Sequence, residues 1–273
     1  EEDRHPHVAR SPETQAPRGL VRPTQDLDPM KCGILPVTPF QQNCSIVWCD
    51  ATRQAAVIDP GGDLDTLLAE VQRRGLTLSQ IWLTHAHIDH SGLLPKLTRA
   101  GFKGSIYATP ATVDLLGVML PDSAHIQESD AKRVAKRLKE KTVPPPLYTL
   151  QDAHECLQQV RGIEYDREFT PRVGVRARFR DAGHILGSAI IEVWVTEYGY
   201  PTKLVFSGDL GQPGRPILRD PTTIEDADIL EARRWLWTHL RCGMSSAHGL
   251  RLCRPADVTG IEFLQVPTIL AHE

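Results

Sequence analysis

The densest chemistry in the chain lies in Thr84-His85-Ala86-His87-Ile88-Asp89-His90, which puts three imidazoles and one carboxylate within positions 85–90. Imidazole nitrogen and carboxylate oxygen form the donor set of Zn²⁺ and related divalent ions. The cluster follows an apolar run, Gln80 to Thr84, which reads as a strand. A strand end fixes its first residue, and a tight loop beyond it can aim alternate side chains inward. The spacing places His85 and His87 on one ion, with Asp89 and His90 facing a neighbouring one. A merely solvated turn would gain nothing from three histidines.

Such a centre needs about four ligands per ion, so later strand ends should supply the rest. Asp181-Ala-Gly-His184-Ile-Leu-Gly-Ser188 follows a strand ending near Phe179, and its glycines leave the backbone free to bend. Leu204-Val-Phe-Ser207-Gly208-Asp209 ends another strand with a carboxylate able to bridge two cations. Asp59 closes the run Ala55 to Asp59 and is expected to hydrogen-bond and orient the ligand loop. Asp89 and Asp59 are expected to be the catalytic carboxylates, the second by orienting the loop.

The elements that must hold these groups read as α/β. Ser45 to Cys49 and Ala55 to Asp59 form a hairpin, ended by Pro60-Gly61-Gly62. Asp63 is placed to N-cap a helix with Leu64, Leu67, Leu68 and Val71 on one face, stopped at Gly75. Further strands are predicted at 80–84, 104–108, 173–179, 189–195 and 203–207. A helix opens at Thr109-Pro110, and 128–141 is a charged helical stretch before the extended Pro144-Pro145-Pro146. The order fits two mixed sheets flanked by helices.

Composition narrows the remaining possibilities. The chain has 273 residues, 41% hydrophobic and 24% charged, a balance that excludes whole-chain disorder. No run approaches the ~18 apolar residues of a membrane span. A formal charge of −3 excludes a bulk polycation, so any RNA contact must be local. The basic run from Lys132 to Lys141 could steer a phosphate backbone, although a charged helix is more often a solvated face. The six cysteines include no C-x-x-C pair and read as reduced thiols, mostly buried. His125 and His154 lie off the strand-end pattern and read as surface residues.

Residues 1–29 read as a disordered leader, broken by five prolines, with His5 and His7 given no role. They lack an apolar signal segment, and a cytoplasmic location is the expectation. The catalytic domain spans 30–230, and 231–273 is an unrecognised segment.

H-x-H-x-D-H, a glycine-flanked His184 and Ser207-Gly208-Asp209 together resemble the metallo-β-lactamase fold superfamily of dinuclear metal hydrolases. The resemblance implies a four-layer αβ/βα sandwich of two mixed sheets, with two divalent ions, Zn²⁺, between the sheet edges. It implies His85, His87 and His184 on the first ion, Asp89 and His90 on the second, and Asp209 bridging. A late histidine completes the second site in this family. His272 (ILAHE) is assigned to it, with His248 (SSAHG) and an open position as alternatives, and His239 stands in no reminiscent context.

Two branches are visible. Residues 30–83 are similar to glyoxalase II-type thioester hydrolases. Residues 85–230, including MLPDSAHIQE, PPPLYTLQDA and LVFSGDLGQPGRPILRDP, resemble the β-CASP RNA-processing nucleases. The join falls at the shared metal motif, as in a chimeric sequence. The 43 residues after Leu230 leave no room for the RNA-gripping clamp domain of that branch. The expected reaction is hydrolysis by a metal-bound hydroxide, since two cations about 3.5–4 Å apart lower the pKa of water from 15.7 to about 7. The expected substrate is a phosphoester of phosphodiester or RNA type, and RNA is a possible partner. A small thioester, ester, lactone or β-lactam is the alternative, and an inactive metal-binding remnant the third reading. No membrane partner is expected, and the sequence leaves the oligomeric state open.

Overall fold

The structure, a computed structural model, describes residues 30–38, 42–138, 143–197, 200–231 and 261–263. The first half runs β1 (Met30–Val37), β2 (Gln42–Cys49), β3 (Gln54–Ile58), α1 (Leu64–Arg73), β4 (Thr77–Trp82), α2 (Ile88–Ser91), α3 (Leu94–Arg99), β5 (Ser105–Ala108), α4 (Pro110–Leu138), α5 (Leu150–Leu157) and β6 (Val160–Gly162). The second half runs β7 (Phe169–Arg172), β8 (Val175–Asp181), β9 (Ala189–Glu197), β10 (Tyr200–Phe206), β11 (Ile229–Glu231) and β12 (Ile261–Phe263).

The strands form two mixed sheets, in the orders β12-β1-β2-β3-β4-β5-β6 and β11-β10-β9-β8-β7. In the first, β1 to β3 form an antiparallel meander, whereas β3 to β6 are parallel and joined by helical crossovers. Parallel pairing brings the C-terminal ends of β3 and β4 to one edge, and both carry polar loops there. β8 shows how the second sheet is built. Val175, Ala177 and Phe179 face the first sheet while Arg176, Arg178 and Arg180 alternate outward. Between the sheets, Cys32, Ile58 and Trp82 meet Phe179, Ile191, Val193, Leu204 and Phe206.

A larger core lies on the other face of the first sheet, under α1, α3, α4 and α5. Among the described residues, the outer face of the second sheet is covered by Leu210, Ile224, Ala227 and Leu230 packing on Ile190 and Val205. No helix of the described residues is long and apolar enough to cross a membrane.

The α/β class and the paired mixed sheets are those expected from the sequence. Several local expectations need correction. Asp63 precedes α1 but does not cap it, because its backbone is left-handed and its carboxylate instead accepts a hydrogen bond from Thr38 N at 2.9 Å. The strand expected at 80–84 is β4, shifted to Thr77–Trp82, so Thr84 belongs to the loop. The helix opening at Pro110 and the charged stretch after 128 are one helix of 29 residues, which runs through Pro121. Its start is capped by Thr109, whose Oγ1 accepts from Thr112 N at 3.3 Å. α5 begins with a capping box, Thr149 and Asp152 each accepting from the other's backbone N–H. His125 and His154 are exposed on α4 and α5.

Cys32, Cys44 and Cys156 are buried free thiols. Burial pushes Cys32 up to about 12 and Cys156 up to about 11, so neither is a nucleophile at neutral pH.

Candidate metal centre

Four loops meet where the sheets' edges converge, each following a strand. Asp59 follows β3 with a left-handed backbone and is buried. Its Oδ1 accepts from Thr84 N at 2.8 Å, and its Oδ2 from Thr84 Oγ1 at 2.6 Å. The same Oδ2 lies 2.9 Å from His90 Nδ1. One carboxylate thus fixes both ends of the histidine loop. Gln42, fully buried on β2, supports it from behind by donating Nε2 to the Asp59 carbonyl at 3.2 Å.

The loop turns immediately into α2. Ser91 Oγ donates to the carbonyls of Ala86 at 2.9 Å and His87 at 3.1 Å, holding the histidine-bearing turn closed. The loop lies hard against Gly61, where a Cβ would stand 1.7 Å from the Asp89 carbonyl oxygen. Gly61→Ala is therefore expected to cost about 1–3 kcal/mol, the range for overpacking, read as a lower denaturation midpoint. Metal affinity should fall with it, because Asp89 and His90 must move.

His184 comes from the loop after β8. Gly183 has φ +63°, His184 N donates to Ser188 Oγ at 3.0 Å, and the hydroxyls of Thr109 and Thr112 donate to Gly187 O at 2.6 and 3.0 Å. Ala189 N donates to Thr84 O at 2.7 Å, tying this loop to the histidine loop across the sheets. Asp209 follows Gly208, whose φ of +54° and contact with Thr84 exclude a side chain.

The side chains converge as two groups. His85 Nε2 lies 3.0 Å from His87 Nδ1, which is 3.3 Å from His184 Nε2. His85, His90 and Asp209 form a second group, and within each group the donor atoms lie within 4.8 Å of one another. Asp209 reaches both sides, with Oδ1 3.8 Å from His90 Nε2 and Oδ2 3.7 Å from His184 Nε2. Asp89 stands 3.7 Å from His90 Nε2 but joins neither group. His85 and His90 are buried while His87 is exposed, so the centre opens to solvent on the His87 side.

The donor set fits a divalent cation. Zinc–nitrogen bonds near 2.0–2.1 Å in a tetrahedral site separate the nitrogens by about 3.3 Å, close to the spacing within the first group. His90 Nε2 is buried without a hydrogen-bond partner among the described residues, while its other nitrogen is committed to Asp59. A buried imidazole nitrogen left bare in this way is what a metal would use. Burial works against charging His90, but Asp59, with Asp209 and Asp89 facing it, raises its pKa above the ordinary histidine value.

Sequence reasoning did not single out Gln42, Asn43 or Glu231. Asn43 Nδ2 donates to Glu231 Oε1, and Ser207 N donates to the Glu231 carbonyl at 3.0 Å, so β11 braces the Asp209 loop. Nothing in the motif spacing marks these groups, since they touch the loops rather than the cations. Burial pushes Glu231 up from 4.5 to about 7, and Asp59 and Asp209 add to it. A carboxyl raised on folding favours the fold below its unfolded value, and that contribution is lost as pH rises through about 7. Glu231→Gln in metal-stripped protein should therefore stabilise by up to about 3 kcal/mol at pH 8 and by nothing below the ordinary value of 4.5, as read by denaturant melts. His272, His248 and His239 lie outside the described residues.

A family model described as "Metallo-beta-lactamase superfamily" matches residues 37–257. Ribonuclease TTHA0252 of Thermus thermophilus is 33% identical over 186 residues, which are 68% of this chain and 36% of that protein. Transcription termination factor FttA of Pyrococcus abyssi is 38% identical over 128 residues, 46% of this chain and 17% of that protein. Hydroxyacylglutathione hydrolase GloC of Haemophilus influenzae is 39% identical over 95 residues, 35% of this chain and 44% of that protein. The chain thus spans less than half the length of each of these three relatives.

Proposed function

Because the chain belongs to the metallo-β-lactamase superfamily, we propose that it is a dinuclear metal-dependent hydrolase acting on phosphodiester bonds of RNA type. The observation that carries the dinuclear reading is Asp209, whose two oxygens extend toward His90 of one donor group and His184 of the other. His85, His87 and His184 would hold one cation; His90, Asp209 and Asp89 would hold the other. Zn²⁺ suits the imidazole-rich first group. When bound, two such cations supply Lewis acidity that lowers the pKa of water toward about 7 and polarises the scissile oxygen.

The chain's own residues do the rest. Asp59 takes the Nδ1 proton of His90 in a hydrogen bond, which leaves the Nε2 lone pair facing the centre. Asp89, half-buried at the rim, orients the attacking water and accepts its proton. The Gly61 and Gly208 contacts keep the loops close enough for these groups to act together. The preference for phosphodiesters is supported by the longer similarity, to a ribonuclease over 68% of the chain. A location in the cytoplasm goes with an RNA substrate.

A thioester hydrolase is the second reading, favoured by the similarity to GloC over 95 residues. Metal-loaded protein assayed in parallel with an aryl phosphodiester, a lactoyl thioester and a chromogenic β-lactam separates the two, with His87→Ala as control. Activity on the phosphodiester that His87→Ala abolishes is the expected result. Activity confined to the thioester or the lactam would overturn the substrate assignment, and a metal-loaded protein inert toward all three would overturn the enzyme reading.

A further inference from the structure

At the end of the sandwich away from the histidines, the two sheets part around a cavity of about 180 Å³. It lies between the start of β3 and β4 on one side and the β7–β8 hairpin on the other, and none of its lining residues belongs to the metal centre. Its walls are apolar, with Val47, Ala56, Trp82, Val175, Val193 and Val195 facing it. Several polar groups of the lining are already committed. Trp82 Nε1 donates to Gln80 Oε1 at 3.1 Å. Gln80 Nε2 donates to Pro171 O at 2.9 Å, and Ser79 Oγ to Ala55 O at 3.1 Å.

Arg172, exposed at the mouth, is the one charged residue among the described lining residues. Its side chain donates to the neutral Gln54 Oε1 at 3.2 Å and meets no carboxylate among the described residues. A ligand matching this site has an apolar body that asks nothing of the walls and one anionic group at the entrance. A dry cavity of about 150 Å³ holds a benzene ring, so the body here is a single ring or a short chain. A guanidinium fork pairs with a carboxylate through two parallel hydrogen bonds. We infer that this cavity binds a small amphipathic carboxylate, with its aryl or short acyl body between the sheets and its carboxylate on Arg172.

The test is calorimetric titration of the full, metal-loaded chain with octanoate, with 1-octanol and acetate as probes of the body and the charge. Octanoate should bind saturably at one site and acetate should not. Arg172→Gln, an exposed change that leaves the core alone, should weaken octanoate about tenfold and leave 1-octanol unaffected, as loss of a charged hydrogen bond implies. Ala56→Phe, which fills the cavity from β3, should abolish binding of both. Cys49 lines the cavity, and its alkylation, mapped by mass spectrometry, should slow when octanoate is present.

Absence of saturable octanoate binding would overturn the assignment, as would binding that Arg172→Gln leaves unchanged. Octanoate binding that leaves Cys49 alkylation untouched would place the ligand elsewhere and overturn it too. Protection of Cys49 without octanoate would give the cavity to another occupant, a second copy if protection rises with protein concentration, and would equally overturn it.

Discussion

Asp209→Ala should lower hydrolysis by on the order of 10³-fold, about 4 kcal/mol of transition-state stabilisation, while the fold survives. The magnitude follows from where the carboxylate stands. Asp209 faces His90 with one oxygen and His184 with the other, so it stands between the two donor groups. Losing a terminal ligand would weaken one cation, whereas losing Asp209 unlinks the two. Steady-state rates on the phosphodiester, with metal content measured in the same samples, check the expectation. A rate within about tenfold of the parent would show that Asp209 does not join the two groups.

The second large effect is expected at a residue that touches no cation. Asp59 accepts three hydrogen bonds, from Thr84 N, Thr84 Oγ1 and His90 Nδ1. In Asp59→Asn the amide oxygen can keep Thr84 N, but the amide NH₂ then confronts the Thr84 hydroxyl and His90 Nδ1. His90 relieves the conflict by moving its proton to Nε2, the nitrogen the metal needs. Second-cation affinity should fall about 10–100-fold, with much less change at the first, since His87 and His184 lie on other supports. Breaking this buried pair should also cost about 3–5 kcal/mol of stability. Competition against a chromogenic chelator reads the two affinities separately, and an equal loss at both sites would contradict the tautomer account.

The positions at strand ends were legible because strand periodicity is strong and the donor residues cluster immediately after it. β8 alternates Val175, Ala177 and Phe179 with three arginines, so a strand just before His184 could be read from the letters, although it runs to Asp181 rather than ending near Phe179. Asp59 was legible in the same way, as the polar residue closing an apolar run. What escaped depends on contacts distant in sequence. Asp63 looks like a cap in its local context, yet Thr38 claims its carboxylate across 25 positions. The helix opening at Pro110 and the charged stretch after 128 read as separate pieces, yet Leu116, Leu120 and Ala124 bury one face of α4 continuously past Pro121. Asn43 and Glu231 lie 188 positions apart and meet only because β11 joins the second sheet beside β10. Short strands such as β6 and β7 carry three or four residues, too few for an alternation to register.

The reach of Asp209 toward both donor groups is the centre of this account, and bound zinc per chain tests it most directly. The metal-stripped chain, dialysed to equilibrium against buffered Zn²⁺ and measured by mass spectrometry, should take up about two ions per chain, and Asp59→Asn about one at the same free zinc. A parent chain that saturates at about one ion, with Asp59→Asn unchanged from it, would contradict the dinuclear centre.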